Sequence, residues 1–317
     1  MDTQIFAVLE GKMQKGRIKA CIVMHNNAVL FRFSKNRKVD TILHPVHSCT
    51  KSVVSALIGI CLRNRLLSDI DVPLTEFFGD CLRAQQDARK RSITIRHLLT
   101  MTPGFHWPEF GEWNFGSPME YSKDIVRFIL DRDLEDAPGT RMNYNSGCSH
   151  LLSAIVQSVS GMRAADFARR HLFAPLGIDE NTVWHEKQGV SLGANGLKMF
   201  PLDMARFGTL YLRHGTVDGR EIVTREWVEE STRPRFLTYP DIGWYGYHWW
   251  SGSFDAVDYY FAMGLFGQFV IVLPVLDTVV VFVSENYSDT LQPLRYLHED
   301  ILPNIPRRFS ADPAGQC

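Results

Sequence analysis

The sequence predicts an α+β fold, an antiparallel sheet flanked by helices with an all-helical lobe inserted into it. Three observations carry that reading. Near the start, "RIKACIVMHNNAVLFRFS" (17–34) holds two β-rich runs around Asn26-Asn27, a pair suited to a tight hairpin turn. Beyond Tyr239, "WYGYHWWSG", "VDYYFAMG", "QFVIVLP" and "DTVVVFVSEN" read as consecutive antiparallel strands with short connections. Between these two β regions the apolar spacing is helical. If the terminal strands share one sheet, the middle of the chain forms its own lobe with a cleft between sheet and helices. The expected organisation is one domain, with a sheet lobe over about 1–47 and 201–317 and a helical lobe over about 48–200.

In order, a short helix is expected from Thr3 to about Lys15, then the hairpin, then a helix headed by Ser48. Further helices are read in "TIRHLLTM", "SKDIVRFILDRD", "SHLLSAIVQSVSG" and "RAADFARRHLF", with stops at "DVPLTEFFGD", "TPGFHWPEFGEWNFGSP" and "APGT". "PLDMARFGTLYLRHG" gives another amphipathic helix and "TREWVEEST" a short one. "SDTLQPLRYLHEDIL" closes the chain, and the tail "SADPAGQC" has the composition of a disordered end.

Composition excludes several function classes. The chain has 317 residues, 45% hydrophobic, with a formal net charge of −1 and no run of basic residues long enough to concentrate a positive patch, which argues against nucleic acid and acidic membranes as partners. The most apolar stretch, Val53 to Leu62, is far short of the roughly 20 residues that span a bilayer. "MDTQIFAVLEGKMQKGRIK" opens with an acid and mixes charges where a secretory signal needs a basic start and an apolar run, so a cytoplasmic location is expected. The six cysteines are scattered without a CxxC pair and read as reduced, mostly buried thiols. "HPVH" is the one close histidine pair; with a proline inside it and no third ligand nearby, no metal is expected.

The helix headed by Ser48 is apolar on nearly every side, yet its first turn carries Lys51, where the unpaired N–H groups already make the helix end electropositive. Ser48, Lys51, Ser52 and Ser55 share one face. A serine hydroxyl needs a base to become a nucleophile, and a lysine amine can serve only when neutral near pH 7. Burial and the positive helix end both disfavour the ammonium, so the awkward position is chemically useful. The alternative is that Lys51 runs out to solvent and Ser48 merely caps the helix. Tyr144 stands just ahead of a helix starting near Ser146, where a phenol can point into a cleft and relay a proton if nearby positive charge stabilises its phenolate; a packed aromatic is the plainer reading. Cys49 lies about 100° around the helix from Ser48 and reads as core packing rather than as a thiol nucleophile. The aromatics of "GWYGYHWW" read as core and sheet-face packing. The loop "GFHWPEFGEWNF" is long and ring-rich, and Trp107 and Trp113 are candidates for lining an apolar substrate pocket.

Together "SCTKS" (48–52) and "YNS" (144–146) resemble the S-x-x-K and Y-x-N motifs of the serine β-lactamase and penicillin-binding protein superfamily. "SITIRHLLTMTPGFHW" and "PGTRMNYNSGCSHLLSAIVQSVSG" are similar to linking segments of its branch of esterases, class C relatives and 6-aminohexanoate-dimer hydrolases. The likeness runs from about Arg17 to Ser284. It implies the β-lactamase/transpeptidase-like fold, and a serine hydrolase acting on a small ester or amide through an acyl-enzyme without metal or organic cofactor. It gives Ser48 the nucleophilic role and assigns proton transfer to Lys51 and Tyr144. The third motif of that family, K-T-G or H-T-G, falls at Ala262-Met263-Gly264, and the oxyanion donors map to the backbone N–H groups of Ser48 and Leu265. Gly264 permits close approach of substrate to the strand, or simply tight pairing.

Two departures bear on substrate. Ser146 stands where asparagine is usual, which makes its contact to Lys51 or substrate a shorter hydroxyl one. Ala262 removes the cation that meets a substrate carboxylate, a charge-assisted bond of about 1.5–3 kcal/mol. Esters or plain amides therefore suit the site better than the rival substrates, β-lactams or D-Ala-D-Ala peptides. From another class, the chain could be a catalytically idle binding or scaffold protein of the same fold.

Overall fold

Asn26 and Asn27 both adopt left-handed backbone, with φ of 49° and 64°, so the chain reverses in two residues. Strand β1 (Ile18–His25) thereby pairs antiparallel with β2 (Ala28–Ser34), His25 opposite Ala28. The remaining strands of the sheet come from the far end of the chain: β3 (Phe236–Leu237), β4 (Trp244–Tyr245), β5 (Trp250–Phe254), β6 (Val257–Gly264), β7 (Gln268–Leu273) and β8 (Thr278–Ser284). The sheet has eight strands in the order β3-β4-β5-β6-β7-β8-β1-β2, and β1 against β8 joins the two terminal regions. The computed structural model describes residues 6–114, 116–239 and 241–306.

Both faces of this sheet are covered, which explains the near-continuous apolar strands. Along β8, Val279, Val281 and Val283 enter one core while Val280 and Phe282 enter the other. Strand β1 alternates in the same way, Ala20 and Ile22 to the first and Cys21 and Val23 to the second. Each such fully buried aliphatic or aromatic side chain contributes about 1.5–3 kcal/mol relative to exposure. On the second face lie α1 (Ala7–Lys15) and the C-terminal helical segments between Gln292 and Asn304, tied by an ion pair between Lys12 and Asp300 at 2.7 Å. Residues 3–5 of the expected first helix and the tail "SADPAGQC" lie outside the described residues.

The first face carries α2 (Cys49–Arg63), α3 (Ser146–Ser160) and α4 (Pro201–Leu212). Helix α2 is buried from Cys49 to Cys61 because it runs between α3 and strands β6 and β7. Helix α4 crosses β8, β7 and β1. Short helices between Thr75 and Leu130 pack around α3, giving the chain its helical side. The α+β expectation is therefore met, as helices on both faces of one antiparallel sheet.

One strand differs from its sequence reading. "WYGYHWWSG" is two short strands, because the backbone turns inward between them. His248 takes φ of 61° and its N–H donates to the Leu99 carbonyl of the helical side, at 3.1 Å. Tyr245, Tyr247, Trp249 and Trp250 are buried, so these aromatics do pack in the core.

Helix α4 approaches the sheet through Gly208, where an added Cβ would lie 2.6 Å from Val279 Cγ1 and 2.8 Å from Val270 Cγ1. A larger residue must push helix and sheet apart. Gly208→Leu is expected to destabilise the fold by about 1–3 kcal/mol in denaturant unfolding, without change in the unfolding slope.

Candidate active site

Ser48 begins α2 but does not cap it, since its hydroxyl makes no bond to a backbone N–H of the first turn. Instead Lys51 Nζ lies 3.0 Å from Ser48 Oγ. His47, just before, holds φ of 47°, a strained conformation for a residue with a side chain, and its ring meets Phe266 edge-on at 5.2 Å. This turn leaves Ser48 partly exposed to the cleft while the lysine behind it is sealed. Lys51 is 2% exposed, which disposes of the solvent-reaching alternative.

Its amine meets three oxygens. Besides Ser48 Oγ they are Ser146 Oγ at 3.2 Å and the Ala194 carbonyl at 3.0 Å, and the amine lies over the Tyr144 ring, 4.9 Å from its centroid. Burial pushes the Lys51 pKa down to about 8, although the carboxylate of Glu109 pulls it up.

Tyr144 is placed by the turn that precedes α3 and its phenol comes within hydrogen-bonding reach of Ser48. Its ring is sandwiched between Phe110, centroids 4.9 Å apart at 17°, and Trp250, 5.8 Å apart at 22°. The phenolate anticipated from the sequence is not favoured here. Burial, first, and Glu109, second, push the Tyr144 pKa well above its ordinary value, so the side chain is a neutral phenol that can pass a proton without resting as an anion. Of the two groups, Lys51 is the one whose neutral form burial brings closest to neutral pH.

The cleft has a volume of about 380 Å³. Apolar side chains of Phe110, Met119, Ile242, Met263, Leu265 and Leu291 make much of its wall. Gly264 ends β6 against the turn that bears the serine, and an added Cβ there would lie 2.3 Å from the Val46 carbonyl oxygen. Leu265, next to it, lines the cleft with Ser48. Ala262 is buried in the core, and no lysine or arginine is found among the described residues that line the cleft. Cys49 is buried with its thiol toward the Gln268 carbonyl, and burial pushes its pKa up, so it is inert packing.

Trp107 and Trp113 are not on the cleft wall. Trp107 is 1% exposed, wedged against Gly147 of α3, and Trp113 packs edge-on to it at 4.9 Å. Among the described rings of the loop, Phe105 and Trp107 are buried and Phe110 lines the cleft. The residue missed from sequence is Glu109, buried in the same loop. Its Oε2 accepts from Trp107 Nε1 at 2.8 Å and from the Ser146 N–H at 2.7 Å, and its Oε1 accepts from the Ser146 hydroxyl at 2.5 Å. A signal was present: an acid inside an apolar, ring-rich loop must either reach water or find buried donors. Ala194 and Asn195 were also missed. The second holds Glu120 at the cleft at 2.9 Å.

The profile of the family described as Beta-lactamase matches residues 9–298. The chain belongs to that family. Among curated relatives, the 6-aminohexanoate-dimer hydrolase of Paenarthrobacter ureafaciens is 25% identical over 330 aligned positions, covering 96% of this chain and 81% of the relative. Penicillin-binding protein 4* of Bacillus subtilis (strain 168) is 30% identical over 103 positions, 31% of this chain and only 22% of that protein. The octameric penicillin-binding protein homologue from Pyrococcus abyssi superposes with a TM-score of 0.72 at 19% identity, over 94% of this chain and 77% of that one. The β-lactamase/transpeptidase-like fold follows, with relatives that include hydrolases and penicillin-binding proteins. Among the described residues no helix is long and apolar enough to cross a membrane.

Burying Lys51 carries a stability cost that depends on pH. Its folded pKa of about 8 lies below the ordinary 10.5, so between those values the unfolded chain binds the extra proton and stability rises with pH. Below about pH 8 the whole penalty is present, on the order of 3 kcal/mol. Lys51→Met should therefore raise the unfolding free energy at pH 7 by more than it does at pH 10.5. Urea titrations at the two pH values measure the difference, and an equal effect at both would show that folding does not lower the pKa of the lysine.

Proposed function

We propose that the protein is a serine hydrolase that cleaves carboxylic esters or amides through an acyl-enzyme. The observation that carries this reading is the buried Lys51 amine 3.0 Å from the partly exposed Ser48 hydroxyl. Ser48 Oγ attacks the substrate carbonyl carbon as its proton passes to Lys51 Nζ, and the carbonyl π pair moves onto oxygen. The backbone N–H groups of Ser48 and Leu265 receive that oxyanion. Tyr144 gives its hydroxyl proton to the departing alkoxide or amine and is resupplied from Lys51. Water then attacks the acyl-Ser48 ester, with Lys51 and Tyr144 taking its proton and returning one to Ser48.

The cleft wall supports uncharged or weakly polar acyl and leaving groups. A penicillin or a D-Ala-D-Ala peptide brings a carboxylate, and the described lining residues offer it Glu109 and Glu120 but no lysine or arginine. Repulsion replaces the charge-assisted bond, so carboxylate-bearing substrates are disfavoured. A cytoplasmic setting belongs to the same proposal, supported by the free thiols of Cys21, Cys49, Cys61, Cys81 and Cys148.

Ser48→Ala is expected to lower kcat on p-nitrophenyl butyrate by about 10³-fold or more. A fluorophosphonate should add to Ser48 in the native chain, as located by peptide mass spectrometry, and not in the variant. Full turnover by Ser48→Ala ends the proposal, and rapid opening of a chromogenic cephalosporin would move it to a β-lactamase. Because the base must be uncharged, kcat/KM should fall as pH drops through an acid limb near pH 8, the Lys51 value, and level off above it.

A further inference from the structure

Each hydrogen at the Lys51 amine can be assigned. The Ala194 carbonyl oxygen 3.0 Å away can only accept, so one N–H points there. The Ser146 hydroxyl has a single proton, and its neighbour at 2.5 Å is a Glu109 carboxylate oxygen, which also only accepts. That proton therefore belongs to the bond with Glu109, and Ser146 Oγ must accept from Lys51 across the 3.2 Å contact. A neutral amine has two N–H bonds and one lone pair. With both N–H bonds committed, the lone pair is left for the third neighbour, the Ser48 hydroxyl at 3.0 Å.

We infer that Glu109 is a positioning residue for the reaction, acting through the Ser146 hydroxyl to aim the Lys51 lone pair at Ser48. The inference rests on the proposed role of Lys51 as base and adds to it the group that orients the base. Without the carboxylate, the Ser146 proton is free to turn toward Lys51 Nζ and compete with Ser48 for the same lone pair. The carboxylate is itself held. Trp107 Nε1 and the Ser146 N–H fix its other oxygen, and α3, which starts at Ser146, contributes its electropositive end. This gives Trp107 a use that its absence from the cleft wall left open.

A second effect has the same origin. When the Ser48 proton moves to Nζ as the Oγ–C bond forms, an ammonium develops in a site closed to water. Glu109 is the first carboxylate to stabilise it, through a polarised Ser146 hydroxyl. The other titratable groups that face Lys51 are Cys49 on its own helix, Cys148 on α3, Glu120 across the cleft, His47 and His248 on their turns, and Tyr144 above it. Burial holds the pKa of both cysteines up and that of both histidines down, so these four stay neutral. Glu120 is bound by Asn195 and has a smaller effect on Lys51 than Glu109 does.

The test is the pH profile of p-nitrophenyl butyrate hydrolysis by the full chain and by Glu109→Gln, with Glu109→Asp as the charge-conserving control. In Glu109→Gln the acid limb should move down by about one pH unit, because an anion close to the amine is lost. Its alkaline plateau of kcat should fall several-fold with little change in KM. Glu109→Asp should keep the limb where the native chain has it. A folded Glu109→Gln whose limb and plateau match the native chain overturns the inference. Should that variant not fold, Ser146→Ala removes the hydroxyl through which Glu109 acts while keeping the carboxylate on Trp107 and the residue-146 N–H: a several-fold fall in the alkaline plateau of kcat supports the inference and an unchanged plateau overturns it. Fluorophosphonate labelling separates the two layers. Failure to label Ser48 in the native chain rejects the hydrolase reading itself, whereas labelling with an unmoved limb rejects the positioning role alone.

Discussion

A primary amine kept dry is the constraint on which the rest of this molecule depends. An ammonium at Lys51 would be solvated elsewhere on the surface, and here it is enclosed by α2, the start of α3, the Tyr144 ring and the segment around Ala194. Each of these elements is held by apolar packing rather than by the amine. Helix α2 is pressed between α3 and the sheet, and the sheet is rigid because both faces are covered. The cost of burying the lysine is thus offset by a large core, and a single interaction can be unfavourable without unfolding the chain.

The same enclosure sorts the roles of the neighbouring groups. A low-dielectric setting shifts a lysine and a tyrosine in opposite directions, the amine toward its neutral form and the phenol away from its anion. Both effects favour the uncharged pair. On the proposed reading, one environment therefore prepares an acceptor and a donor side by side, next to the Ser48 hydroxyl. Glu109 is the counterweight. Its charge is stabilised in place by three N–H and O–H donors, so it acts on the amine through Ser146 rather than by direct contact.

Much of this was legible in the sequence where local chemistry decides. Asn26-Asn27 announced the hairpin because the turn requires left-handed backbone at both positions. The apolar helix after Ser48, with a lysine in its first turn, pointed to a buried amine, and the burial of Lys51 decided against the solvent-reaching alternative. What was not legible depends on contacts between distant segments. The inward fold of Tyr247-His248-Trp249 is set by a backbone bond to Leu99, and nothing in the alternation of those residues encodes it. The aromatic loop was read by its ring content, which says that some rings must be buried but not which. Trp107 went inward because a glycine at position 147 opens a slot in α3, and Phe110 took the cleft in its place. Glu109 escaped notice for a similar reason, since its donors come from positions 107 and 146.

The contact of Gly264 with the Val46 carbonyl has a consequence for how such a protein can change. It seats the end of β6 directly on the turn that carries Ser48, so that any side chain at position 264 would push the two apart. Ser48 and Lys51 are thereby set against the sheet, whereas Phe110, Tyr239, Ile242 and Leu291 hang from loops around them and Met119 from a short 3-10 helix. On the proposed hydrolase reading, appetite for one acyl chain or another can be retailored at that fringe while the geometry around Ser48 stays as it is.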